Sequence, residues 1–142
     1  MIKKTTLLLF VITLIYVGCK KEYNVNSLYG KWEFKCFDKQ GISITESQPD
    51  GLEKMTIEFL ENGEMRLGGI CNGGSGTFEA NNSGILKISQ LLLTSVGCDG
   101  LDWETRYISA LESSTEYYFY NKKLKICFEN TDKKDILIFT KL

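Results

Sequence analysis

Apolar residues recur at every second position in run after run of this chain, and that period constrains what it can fold into. Trp32, Phe34 and Cys36 alternate with Glu33 and Lys35, and Met55, Ile57 and Phe59 alternate with Thr56 and Glu58. Side chains of an extended strand point to opposite faces in turn, so the alternation predicts strands with one buried face. Met65 and Leu67 continue it beyond Asn62-Gly63. An Asn-Gly between two alternating runs signals a hairpin whose two turn positions both want positive φ. Further strands are predicted at 77–80, 86–88, 116–120, 124–128 and 136–139, punctuated by NNSG (81–84), NKK (121–123) and NTDKKD (130–135). Pro49, in ESQPDG, marks a long loop. One segment breaks the period: in LDWETRYISALESS, Trp103, Tyr107 and Leu111 are four apart with Ala110 beside them, a helical stripe. Asp102 and Glu104 fall in its first turn, where carboxylates suit the helix dipole, and Asp99 or Asp102 would cap its start. The pattern predicts a mainly β, α+β body, a curved antiparallel sheet or partly closed barrel packed with one helix.

The N-terminal region sets the compartment. Lys3 and Lys4 precede the apolar run TTLLLFVITLIYVG, which stops at Gly18-Cys19. A basic start, an apolar stretch and a small residue before the cut are the parts of a secretory signal, and the run falls short of the roughly 20 residues that cross a bilayer comfortably. YVGC resembles a lipobox, with Tyr16 where a leucine is usual. Residues 1–18 therefore read as a lipoprotein signal peptide, Cys19 as the lipidated first residue of the mature chain, 19–27 as a polar tether, and 28–142 as one domain. The alternative is a plain secretory signal or anchor with an incidental cysteine. Acyl chains on Cys19 would hold the protein at a membrane surface, each buried methylene adding about 0.8 kcal/mol. Lys20-Lys21-Glu22 lacks the aspartate that usually retains a lipoprotein at the inner membrane, so the expected location is the outer membrane of a cell envelope, on its periplasmic or surface side.

Export changes the meaning of the other cysteines. Lipidation of Cys19 leaves Cys36, Cys71, Cys98 and Cys127, and outside the cytosol an even remainder reads as disulfides. The chain has no histidine, which removes the usual general base, the commonest zinc ligand and every Ser-His or Cys-His pair. A net charge of -1 does not suggest nucleic acid, which needs a clustered basic surface.

The densest motif is GGICNGGSGTFE, residues 68–79, with five glycines around Cys71 and Asn72. It lacks the lysine of a phosphate loop and the glycine spacing of a dinucleotide site, and a strand follows where a helix should. Only Arg66 nearby would activate a thiolate. A tight turn is the simpler reading: glycines allow positive φ and close approach, and Asn72 bonds turn backbone. Glu53, Glu58, Glu61 and Glu64 read as a solvated acidic edge, not paired catalytic carboxylates. In EYYFY, Tyr117 and Phe119 share one phase and Tyr118 and Tyr120 the other, which fits core plus an amphipathic outer face better than a ligand-stacking platform. NTDKKD lacks calcium-loop spacing. No catalytic, cofactor-binding or metal residue is assigned.

LYGKW (28–32), TIEFLENGEMRLGGICNGGSGTFE (56–79), LLLTSVGCDG (91–100), WETRYISAL (103–111) and the closing KLKICFEN…DILIFTKL run in the order of the META domain family, which includes heat-inducible bacterial envelope proteins of the HslJ type. The central stretch resembles the family's F-x-x-x-G…G-x-x-G-C-N-x-x-x-G-x-[FY] pattern at Phe59, Gly63, Gly68, Cys71, Asn72, Gly76 and Phe78. Thr94 and Cys98 resemble its T-x-x-x-C segment, followed by a helix with Glu104 and Leu111. The resemblance implies a curved, barrel-like sheet packed with a helix, a disulfide between Cys71 and Cys98, and no established activity. Cys36 and Cys127 fall outside the pattern. Cys36 shares the phase of Trp32 and Phe34, whereas Cys127 is out of phase with Ile126 and Phe128, which opposes a bond between them unless a bulge shifts one strand. A second disulfide and two separate thiols both stand.

The functional expectation is a non-catalytic, lipid-anchored envelope protein without a cofactor, acting through protein contacts in stress tolerance or envelope upkeep. The alternative is a carrier of a small apolar ligand or lipid, or a pilot-type lipoprotein, with a cavity between sheet and helix. A hydrolase or redox enzyme ranks last.

Overall fold

The structure, a computed structural model, describes residues 20–39, 44–69, 71–130 and 133–142. The expected signal peptide and Cys19 lie outside the described residues. A one-turn helix α1 (Val25–Leu28) leads into β1 (Gly30–Lys39), β2 (Ile44–Ser47), β3 (Thr56–Phe59), β4 (Glu64–Gly68), β5 (Gly73–Ala80) and β6 (Leu86–Leu93). Helix α2 (Leu101–Glu112) follows, then β7 (Ser114–Tyr120), β8 (Lys123–Asn130) and β9 (Lys133–Lys141). These strands form one antiparallel sheet in the order β6-β5-β4-β3-β1-β9-β8-β7, with β2 pairing the far half of β1. The sheet curls into a half-barrel whose ends meet at one stitch, where Ile85 bridges Glu116 and the Tyr117 N–H donates to Gly84 O at 2.8 Å.

The predicted inward positions fill the concave side. Phe34, Phe59, Met65, Leu124, Ile126 and Phe139 are all within 1% of full burial. Helix α2 closes this side with Tyr107, Ala110 and Leu111. The Tyr107 ring lies 5.3 Å from Phe34 and 6.2 Å from Phe139, centroid to centroid. Strand β9 carries four apolar residues in a row, Ile136 to Phe139, because its outer face is covered too: Ile136 and Ile138 pack with Tyr118, Cys127, Tyr23, Cys36 and Tyr120.

Four local expectations are corrected. The 62–63 turn has positive φ only at Gly63 (83°). The Gly63 N–H donates to Leu60 O and the Leu60 N–H to Glu64 O, a three-residue loop ending in a left-handed glycine. The two-residue turn with both φ positive lies instead at Asn121 and Lys122. Strand β2 was not expected, and its last two residues fall in the ESQPDG stretch read as a loop. Helix α2 is capped by Gly100 without a side-chain bond, so neither Asp99 nor Asp102 caps it. The tether of 19–27 is also corrected from Glu22 onward. Glu22 exchanges backbone hydrogen bonds with Phe119 (3.0 and 2.8 Å), extending the sheet past β7, whose free edge offers unpaired donors and acceptors. Asn24 Oδ1 then caps α1 by accepting from the Asn26 N–H at 3.0 Å, and the Val25 N–H donates to Asn82 Oδ1 at 2.9 Å.

Candidate functional site

The glycine-rich turn is held from two sides. Cys71 and Cys98 are disulfide-bonded with Cα atoms 5.9 Å apart, joining the entry of β5 to the loop before α2. Beneath the bond lies Glu104 on the first turn of α2, only 4% exposed. Its Oε2 accepts from the Cys71 and Asn72 backbone N–H groups at 2.8 and 3.1 Å, and its Oε1 accepts from Asn72 Nδ2 at 2.6 Å. Asn72, itself buried, reaches the third partner. Its Oδ1 accepts from the Val96 N–H at 2.7 Å and from Thr94 Oγ1 at 3.0 Å, while Nδ2 also donates to Val96 O at 3.1 Å.

Two glycines are explained by close approach. A Cβ on Gly69 would run into Asn72 O and the Glu104 carboxylate, and one on Gly74 would meet Leu92 O and the Leu93 side chain. The Glu104 carboxylate therefore accepts from at least three donors of the turn, and the side-chain amide of Asn72 divides its bonds between that carboxylate and the loop. Chemically, this arrangement fastens a turn, a loop and a helix to one another.

The META domain model matches residues 24–141. This chain belongs to the META domain family. The match begins at Asn24, the cap of α1, so this META domain takes in part of the expected tether. Cys71, Asn72, Thr94, Cys98 and Glu104, five of the residues that carry the resemblance, form one connected network in it. None of the curated proteins compared matches the sequence. Among solved structures, a DUF4847 family protein from Bacteroides vulgatus ATCC 8482, determined at 1.00 Å resolution, is similar in fold: the TM-score is 0.60 at 16% identity, covering 80% of this chain and 92% of that one.

Elsewhere in the META domain the remaining sequence candidates are dispersed. Cys36 and Cys127 are free thiols. A bulge between Phe34 and Cys36 does turn Cys36 to the outer face that carries Cys127, as a bond would need. However, β9 runs between β1 and β8, with Ile138 opposite Cys36 and Ile136 opposite Cys127. Two strand spacings, about 9–10 Å, exceed the reach of a disulfide. The second disulfide is thus corrected to two separate thiols. Burial pushes both thiols above their ordinary pKa, reinforced by Asp38 near Cys36 and Glu116 near Cys127. Of the acidic edge, Glu53, Glu61 and Glu64 are exposed and Glu58 pairs with Arg66 at 3.7 Å. Tyr117 and Phe119 enter the core, with Tyr118 and Tyr120 on the outer face. No group of three or more Cys, Asp or Glu residues able to hold a metal occurs among the described residues.

Two of the recesses among the described residues bear on ligand binding. Between α2 and the sheet, an open cleft of about 290 Å³ is lined by Phe37, Arg106, Ala110, Phe128, Glu129 and Asp135. Its cations, Lys39 and Arg106, are both engaged: each pairs with Glu46 at 2.6 Å, and Arg106 lies 4.7 Å from the Phe37 ring. Hydrogen bonds from Lys39 and Arg106 hold the Glu46 carboxyl below its usual pKa. A wider groove of about 780 Å³ runs beside the first described residues, lined by Lys20, Trp32, Phe119, Tyr120, Lys122 and Lys141.

Proposed function

We propose that this META domain is a non-catalytic body of the cell envelope, tied to a membrane by lipid on Cys19 and acting through contacts with other envelope components. The observation that carries the reading is the state of Glu104. The buried carboxylate that the motif brings beside Cys71 and Asn72 is committed to three internal donors. Three further features support it. The sequence has no histidine to act as a base. A disulfide suits an oxidising compartment. A lipobox-like YVGC ends the apolar run.

Intact-mass analysis of the membrane fraction tests the anchor. An acylated chain beginning at Cys19 is expected, together with release of a Cys19→Ser variant from the membrane or its retention with an uncut signal. A mature wild-type chain without acyl groups would remove the anchor. Cross-linking in living cells then identifies the contacts. A second reading, carriage of a small apolar ligand or lipid, draws on the open groove beside Trp32 and Phe119. Co-purifying lipid in mass spectra of gently extracted protein would favour it.

A further inference from the structure

We infer that the domain rests one particular corner, the β7–β8 turn with Lys20 and Lys21 beside it, on an anionic phospholipid surface. This rests on the anchored-chain reading above. The expected anchor, Cys19, is three residues before Glu22, and Glu22 is already hydrogen-bonded to Phe119 of β7. At no more than about 3.6 Å per residue, the membrane attachment lies within roughly 11 Å of that strand. So short a link decides which side of the body meets lipid.

That side is the basic one. Lys20 and Lys122 line the same groove. Lys21 stands 4.2 Å from the Tyr118 ring and Lys125 stands 5.3 Å from the Tyr120 ring. Lys123 is exposed at the start of β8, opposite Tyr120. Five of the chain's 17 basic residues thus gather here, although the whole chain carries a net charge of -1. Of the acids beside them, Glu116 is itself paired with Lys134 at 3.6 Å, Asp38 is half-buried on β1 near Cys36 and Tyr118, and Glu22 lies at the surface, so the five lysines outnumber these three acids. The exposed acids Glu61 and Glu64 flank the β3–β4 turn, separated from β8 in the sheet by β1 and β9. Lysines within a Debye length of an anionic leaflet are drawn to it, and the ammonium groups of Lys21 and Lys125, which rest over tyrosine rings at the surface, are within a side-chain rotation of lipid phosphate.

The test uses the full-length protein purified from membranes. It is reconstituted into vesicles of phosphatidylcholine alone, or of phosphatidylcholine with phosphatidylglycerol, and its lysines are acylated under single-hit conditions. On the anionic vesicles, Lys20, Lys21, Lys122 and Lys123 should label several-fold more slowly than in detergent, while Lys39 and Lys54 keep their rates. A Lys122→Glu, Lys125→Glu double variant with unchanged near-ultraviolet circular dichroism should lose the protection. Equal labelling of both lysine groups on anionic vesicles overturns the proposal. So does protection seen only in native membranes, which would assign the corner to an acidic protein partner. The intact mass of the same sample reports whether Cys19 is acylated, so failure of the lipid anchor is read separately. A chain held by its uncut apolar run would still leave the membrane next to residue 19, and the same protection is expected of it.

Discussion

Asn72 and Glu104 show how one buried pair sets the shape of a glycine-rich turn. Replacing Glu104 with Ala leaves the Cys71 and Asn72 N–H groups without their acceptor, and each unsatisfied buried donor costs about 1–3 kcal/mol. Urea unfolding of Glu104→Ala should show a loss in that range or above, with Glu104→Gln, which keeps an acceptor but adds a misplaced donor, less affected. Gly69→Ala should destabilise comparably, because its methyl group collides with the same carboxylate. The free thiols make a different prediction. Their pKa values are raised by burial in the folded protein, so the folded state holds its thiol protons while the unfolded chain ionises. Their contribution is complete below the unfolded thiol pKa of about 8.5 and is lost as pH rises above it. Stability measured across alkaline pH should fall, and a Cys36→Ala, Cys127→Ala double variant should flatten that limb. Much of this scale was open to sequence reading. The motif named Cys71, Asn72, Thr94 and Cys98, and Glu104 on the helix that follows, but it gave the Glu104 carboxylate no partner beyond its own helix dipole. The missing inference was spatial: once Cys98 is bonded to Cys71, a glutamate six residues later on the first turn of α2 comes within reach of Asn72.

At the scale of elements, period two located most strands and period four located α2. What it missed came from backbone geometry. The bulge after Phe34 admits Phe37 to the core and sends Cys36 outside, an inversion that no alternation can announce. Asn-Gly marked the correct hairpin with the wrong loop, because adding one residue to the turn lets Gly63 alone supply positive φ. Strand β2 was hidden because it pairs only four residues of β1 and lacks an apolar stripe. The disulfide belongs to this scale too, since it closes 27 residues spanning β5, β6 and the loop before α2. Chain-entropy arguments give it about 3–4 kcal/mol. Reduction, or a Cys71→Ala, Cys98→Ala double variant, should lower the unfolding free energy by about that amount, with hydrogen exchange quickening first in 94–100.

Across the whole molecule, a half-barrel is completed by parts that are not strands of its own sheet path. Helix α2 covers the concave side, and residues 22–28 cross from Phe119 past Asn82 to Leu28. The sequence made that crossing look like a free tether because its residues are polar; what recruits them is the bare edge of β7, a property of sheet order that becomes visible only after folding. Deleting residues 20–24 should therefore lower the melting temperature and raise the tendency to aggregate, measured by calorimetry and light scattering, although it removes no strand named above. The docking of Glu22 on β7 also has a mechanical consequence. A pull applied at residue 20 loads the two hydrogen bonds of the Glu22–Phe119 pair first and the Asn82 contact next, before any force reaches the core. The leash can peel by a few residues under strain while the body stays folded, and snap back when the strain is released.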